Sequence, residues 1–432
     1  MKREYRCFIA FVVAAMTFLP LNAYANGSKE STGTSPAAAV KLSFWSRDSD
    51  AAFVQPLVKQ YDAEKGVDVS ATIIPASQFV AKFATSMAAG AGPDIIASDL
   101  VYGPRFASEG LLTDITKEAK ALPFFSQLSP SHVRLSTYKG QLYALPFSAE
   151  ASVLLYNKGL FKQAGLDPNS PPTTWAAVVA DAKKITALGN GVKGFYFSGS
   201  CAGCMAFTFL PLIWGSGGDV LSADGHTATL TGSTQLKAAL ELYHSLWADG
   251  SVSADAKTDN GANFINMFMT GKIGMQGAGA FTINVLKSQK PDIDFGVSYL
   301  PGQNGGTSSF AGGDIIGIPK GSKNVKAAFD FIAYTLSRKV QEDFYLPHGS
   351  LPVRNDIAKS VYDQVDSRYN IGAKAMAEGK TPYSVDYNAL FNDLNGPWIQ
   401  MIQDAVFNGN VDQSIQTAQN QFTQILSGKA GN

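Results

Sequence analysis

Cys201 and Cys204 stand three apart in the run SGSCAGCMAF, and the only other cysteine is Cys7. A C-x-x-C pair supports three chemistries: thiol–disulfide exchange where a helix N-terminus stabilises a thiolate, half of a metal site, or a closed structural clip. The apolar stretch MAFTFLPLIW that follows is a candidate for the helix a redox pair needs. A metal site draws the least support, because His132, His226, His244 and His348 show no zinc-finger spacing to the cysteines.

The remaining groups with chemistry depend on where strands end. Val40–Trp45 is β-prone, and Phe53, Leu57, Val58 and Tyr61 then recur at helical spacing. VDVSATII stops at Pro75, Ser77 is placed to cap a helix carrying Phe79, Phe83 and Met87, and GAGPDIIAS supplies a turn and a third strand. The order βαβαβ implies a parallel sheet with covering helices. Ligands of such sheets bind beyond the C-terminal strand ends, which brings forward Trp45, Ser46, Arg47, Asp48 and Asp99. Arg47 and Asp48 either bond a ligand there or pair with each other on the surface. Further on, GQLYALP reads as a hairpin edge, ASVLLY as a buried strand, PPTTW as a helix start with Thr173 or Thr174 as N-cap, GFYF and GDIIGIP as strands, and Asp386–Leu426 as mostly helical.

The N-terminus sets the compartment. Lys2, Arg3 and Arg6 precede CFIAFVVAAMTFLPL, which ends in the small-residue sequence Ala23, Tyr24, Ala25. Residues 1–25 therefore read as a secretory signal peptide; the run contains Pro20 and falls short of the ~20 apolar residues of a spanning helix. Cys7 precedes the apolar core and is not placed like a lipoprotein cysteine. Residues 26–36 hold the polar run GSKESTGTSP and read as a flexible leader. Loss of the signal leaves a slightly acidic chain with nothing to attract nucleic acid or acidic membranes. With 16% charged residues, 41 glycines and 11% aromatics, disorder is excluded for the bulk of the chain, and 432 residues suffice for two cores. In an oxidising compartment Cys201 and Cys204 favour the closed disulfide.

Several segments, in order, resemble the family of extracellular solute-binding proteins that feed sugars to ABC importers. They are LSFW, GPDIIASD, FASEGLLTDIT, GQLYALPFSAEASVLLYNKGLFKQAGLDPNSPPTTW, IWGSGGDV, FMTGKIGM, AGGDIIGIPKGSKNVKAAFDFI and HGSLPVRNDI, spread over nearly the entire mature chain. The resemblance implies an α/β, two-lobe periplasmic-binding-protein fold (type II), with a ligand cleft between lobes joined by hinge crossovers. The N-terminal lobe would be 37–148 and 312–344, and the C-terminal lobe 149–309 and 345–432. It implies a periplasmic monomer that captures a mono- or short oligosaccharide and delivers it to a membrane permease with its ATPase. No cofactor and no catalysis are expected. Relatives that bind glycerol phosphates or other polyols keep a second ligand class open.

The resemblance also implies a lining. Asp99 matches a position where the family places a carboxylate on sugar hydroxyls, against the alternative of an N-cap before LVYGPRF. Glu150, in PFSAEASVLLYN, matches a ligand-contacting glutamate of maltodextrin-binding members, and Arg354 in SLPVRND matches a recurrent arginine. Trp214, Phe281 and Trp398 are candidate stacking platforms, each with a core position as the alternative. Many relatives carry a tryptophan soon after G-K-x-x-M; here KIGMQGAGAF has Gly279 at that point and Phe281 close behind. Gly218 and Gly313 belong to paired glycines that let backbone approach a ligand, and Asp314 follows by the second crossover. The alignment puts the cysteine stretch between the GFYF strand and the IWGSGGD helix, where Cys201 and Cys204 would pin a loop near the ligand. Asp99 and Glu150 as an acid–base pair would instead make a secreted glycoside hydrolase, a reading opposed by the resemblance on either side of both residues.

Overall fold

The computed structural model describes residues 40–348, 350–361 and 366–428. The expected signal peptide and leader lie outside them. In chain order, the elements that matter to the site begin with β1 (Lys41–Arg47), α1 (Ala51–Lys65), β2 (Asp68–Ile74), α2 (Ala76–Ala88) and β3 (Ile95–Asp99). Next come β4 (Ala144–Asn157), α3 (Trp175–Thr186), β5 (Lys193–Tyr196), α4 (Ala202–Gly215), β6 (Ile273–Gly279), α5 (Thr282–Gln289), β7 (Phe295–Ser298) and β8 (Ala311–Gly317). Three helices follow: α6 (Val325–Thr335), α7 (Pro397–Asn408) and α8 (Val411–Leu426).

β1 pairs in parallel with β2 and with β3, the βαβαβ unit that the periodicity predicts. The expected cap of α2 differs: its N-cap is Pro75 and makes no side-chain bond. Asp48 accepts from the Ala76 N–H at 3.1 Å instead, so the acidic turn after β1 satisfies a free donor at the start of α2. Thr174 does cap α3, its Oγ1 accepting from the Ala177 N–H at 3.2 Å.

The strands form one path in the order β2, β1, β3, β8, β4, β6, β5, with β7 also on β4. β8 runs antiparallel between β3 and β4. The first half of β4 pairs with β8 and its second half with β6 and β7, so this one strand links two halves of the sheet. The lobe boundary expected at 148/149 falls inside it.

Alternation along β1 sorts the two faces. Leu42 and Phe44 enter the main core, while Trp45 packs against a second cluster of Ile74, Phe79, Phe83, Ile96, Phe106 and Leu112. Period two puts Arg47 on the Trp45 face at the strand's C-terminal end. One glycine is fixed by this geometry. Gly313 has φ +113°, and a Cβ there would run into the Ser148 carbonyl oxygen of the neighbouring strand.

Candidate functional site

The C-terminal ends of β1 and β3 meet the first half of β8. Asp314 on β8 lies opposite Asp99 on β3 and opposite Ser148 on β4, and the register with β4 shifts just beyond it, between Asp314 and Ile315. Such an irregularity re-aims side chains at the end of a pairing. Arg47 reaches into this junction: Nε donates to Asp314 Oδ2 at 2.9 Å, Nη2 donates to Asp314 Oδ1, and Nη1 donates to Asp99 Oδ2 at 3.1 Å. Asp99 Oδ1 accepts from the Val101 N–H at 3.2 Å, so it is also the N-cap of the short turn that follows.

Burial decides the charges here. The Asp314 side chain is 1% exposed and that of Arg47 16%. Burial works against the Arg47 charge, but Asp314 and then Asp99 outweigh it and hold its pKa well above the ordinary value. Asp99 is raised, chiefly by desolvation and against the pull of Arg47. Asp50, buried behind them, is pushed well up by desolvation and then by Asp314. The junction is thus one clamped guanidinium between two carboxylates, backed by the buried Asp50.

Glu150 forms the second pole. β4 is an almost continuous apolar run, buried on both faces, and Glu150 is its one residue that is not fully buried. Its carboxylate accepts from the backbone N–H groups of Ala151 (2.9 Å), Ala280 and Phe281 (3.1 Å). Desolvation raises its pKa to about 7 against those three donors. Phe281, 39% exposed, carries its ring back over Gly279: a Cβ at 279 would lie 2.6 Å from Phe281 Cδ1 and 3.1 Å from Glu150 Oε1. The ring therefore fills the space where a side chain at 279 would start. Gly312, paired with Glu150 across β8, faces the half-buried Phe207, whose Cε2 would be 3.3 Å from a Cβ there. By strand spacing, the Asp99 and Glu150 backbones stand about 12 Å apart.

The C-terminal segment reaches the same junction. Tyr102, just past Asp99, donates to Asn388 Oδ1 at 3.3 Å and also bonds Asn392. Asn392 in turn lies against Gly203, between the cysteines. Cys201 and Cys204 form a disulfide. It does not pin a loop ahead of a helix, as the alignment suggested; α4 begins at Ala202, so the bond closes that helix's first turn, with Cys201 as N-cap. Phe207 follows one turn later.

Of the residues singled out from sequence, Arg47, Asp99, Asp314, Gly313, Glu150 and Phe281 are brought to this region. The others have different surroundings. Asp48 is exposed and bonds α2. Trp214, 7% exposed, donates from Nε1 to Asp219 at 2.9 Å, with Lys380 over its ring and Phe310 behind it. Gly218 closes a turn, its N–H on the Ile213 carbonyl. Arg354 spends its fork on Asp356 (3.1 and 2.7 Å) and the Leu336 carbonyl, and stacks on Phe124. Trp398 is fully buried between Phe209 and Phe391. Sequence reasoning missed Asp50, Tyr102, Phe207 and Asn388. Asp50 and Tyr102 sit within three residues of Arg47 and Asp99, and Phe207 ends the quoted cysteine run; nothing in YNALFND marks Asn388.

Residues 45–342 match the family described as bacterial extracellular solute-binding protein. The chain belongs to that family. Its fold is the two-lobe α/β fold of periplasmic binding proteins, in which hinge crossovers join the lobes and the cleft between them takes ligand. A putative binding protein of Brucella abortus (strain 2308) is 28% identical over 316 residues, 72% of this chain and 74% of that protein. The sn-glycerol-3-phosphate-binding periplasmic protein UgpB of Yersinia pestis is 24% identical over half of this chain and 49% of its own length. Among solved structures, an ABC transporter solute-binding protein of Thermotoga lettingae bound with α-D-tagatose superposes with a TM-score of 0.80 at 25% identity, covering 90% of this chain and all of that one.

Proposed function

We propose that this member of the family captures a mono- or short oligosaccharide outside the cytoplasmic membrane and delivers it unchanged to an ABC permease with its ATPase. The observation that carries the reading is the pairing of hydrogen-bonding carboxylates at Asp99 and Glu150 with aromatic faces at Phe281 and Phe207. Sugar hydroxyls need fixed acceptors, and the weakly polar ring face lies well on an aromatic side chain. The tagatose-bound relative supports the same ligand class. Lobe boundaries at 148/149 and near 310 put the two poles on either side of a hinge, whose closure around ligand is driven by contacts made better in the closed state. We assign the protein to the periplasm on its N-terminal segment, and assign it no catalysis.

A second reading, a glycerol-phosphate-type solute, is favoured by the UgpB similarity. A thermal-shift screen decides between them, because a ligand that binds the native state raises its apparent stability. A shift with a neutral sugar or sugar oligomer is expected. A shift with a phosphate ester or peptide and with no carbohydrate would overturn the sugar reading.

A further inference from the structure

We infer that this cleft admits uncharged polyols and excludes anionic ones such as sugar phosphates, sugar acids and glycerol phosphate. The inference rests on the sugar-binding reading and narrows it to a charge class.

A cleft that captures phosphate presents free guanidinium or ammonium donors, or a cluster of unpaired backbone N–H groups. Arg47, the cation bonded into the junction, is already spent. Arg47 holds Asp314 through both Nε and Nη2 and Asp99 through Nη1. To meet a phosphate it would have to release Asp314, whose side chain is 1% exposed. That carboxylate would then be left buried, unpaired and beside a second negative group, a loss no surface-exposed anion contact repays.

The other pole behaves alike. The backbone N–H groups of Ala280 and Phe281, which begin the turn into α5, are the natural anion donors of that end, and Glu150 occupies them. An incoming anion would have to displace a carboxylate belonging to the protein. Arg47, a single positive charge, is set against the two carboxylates it bonds, Asp314 and Asp99, so the field at the junction disfavours negative solutes before any contact is made. Asp99 Oδ2 and Glu150 Oε2, each holding one donor, keep lone pairs for hydroxyl donors. Selectivity comes from a charge arranged against the wrong ligand as much as from contacts to the right one.

Calorimetric titration of the full chain tests this with matched pairs: D-tagatose and D-tagatose 6-phosphate, D-glucose with D-glucose 6-phosphate and D-glucuronate, glycerol and sn-glycerol 3-phosphate. We expect each anion to bind at least 100-fold more weakly than the best neutral solute. Asp99→Asn, which removes one negative charge from beside Arg47, should narrow that gap tenfold or more. An anion that binds the wild-type chain as tightly as its neutral partner overturns the exclusion and leaves the sugar reading standing. Binding of sn-glycerol 3-phosphate with no binding of any neutral solute overturns both. The wild-type arm decides either way, even if the variant folds poorly.

Discussion

Arg47 and Asp314 form a two-point clamp, Nε to Oδ2 at 2.9 Å with Nη2 on Oδ1, joining the end of β1 to the start of β8 across 267 positions of sequence. It ties together two strands that run in opposite directions on either side of β3, and it fixes the carboxylate next to Asp99.

Breaking the clamp from the carboxylate side takes two of the three carboxylate hydrogen bonds from a largely buried guanidinium and leaves it Asp99 alone. Asp314→Ala should therefore cost about 3–5 kcal/mol of stability, measured by urea unfolding at neutral pH. A loss below about 1 kcal/mol, the range of exposed ion pairs, would show that the clamp is only a surface contact.

The fold was legible in this sequence to the extent that periodicity reports burial. Phe53, Leu57, Val58 and Tyr61 announced α1, and DIIAS announced β3, because their apolar faces are fixed by one neighbouring layer. The strand ends then put Arg47 and Asp99 at the C-terminal ends of β1 and β3, where the two side chains bond each other. Asp314 was found through the family's glycine pair, but its partner was not, since nothing local couples residue 47 to residue 314. Trp398 and Arg354 show the converse. A tryptophan that is fully buried and an arginine bound to Asp356, two residues away, look the same in sequence as a platform and a ligand arm. Only tertiary packing separates them.

We propose Phe281 as the stacking surface, its ring filling the space where a side chain at 279 would start. Phe281→Ala should weaken sugar binding roughly tenfold, ~1.4 kcal/mol, while Phe281→Trp retains most of the affinity. Titration calorimetry reads both; equal affinities for wild type and the alanine variant would remove Phe281 from the site.

Glu150 gives the cleft a pH dependence. Its folded pKa, about 7, lies above the ordinary carboxyl value of 4.5. Between those values the folded state holds more protons than the unfolded one, so this group's contribution is fully present below about 4.5 and is lost as pH rises through 7. Melting curves from pH 4.5 to 8 should show a steeper decline in the wild type than in Glu150→Gln. Parallel profiles would contradict the raised pKa.

The disulfide closes a ring of four residues, so its chain-entropy contribution belongs at the low end of the ~2–4 kcal/mol range. Its larger effect should be on shape. Gly203 lies against Asn392, and the sulfurs pack under Gly261. Reduction, or Cys204→Ser, should weaken sugar binding while moving the melting temperature little. Unchanged affinity after complete reduction, verified by thiol titration, would make the bond irrelevant to the cleft.

We propose that a neutral sugar is held at the junction of β1, β3 and β8. Isothermal titration of the best neutral sugar from the thermal-shift panel into wild type and Asp99→Asn tests it most directly. Saturable binding by the wild type and at least a tenfold loss in a variant that still melts cooperatively is the predicted result. Undiminished affinity in Asp99→Asn would place the sugar elsewhere and contradict the account.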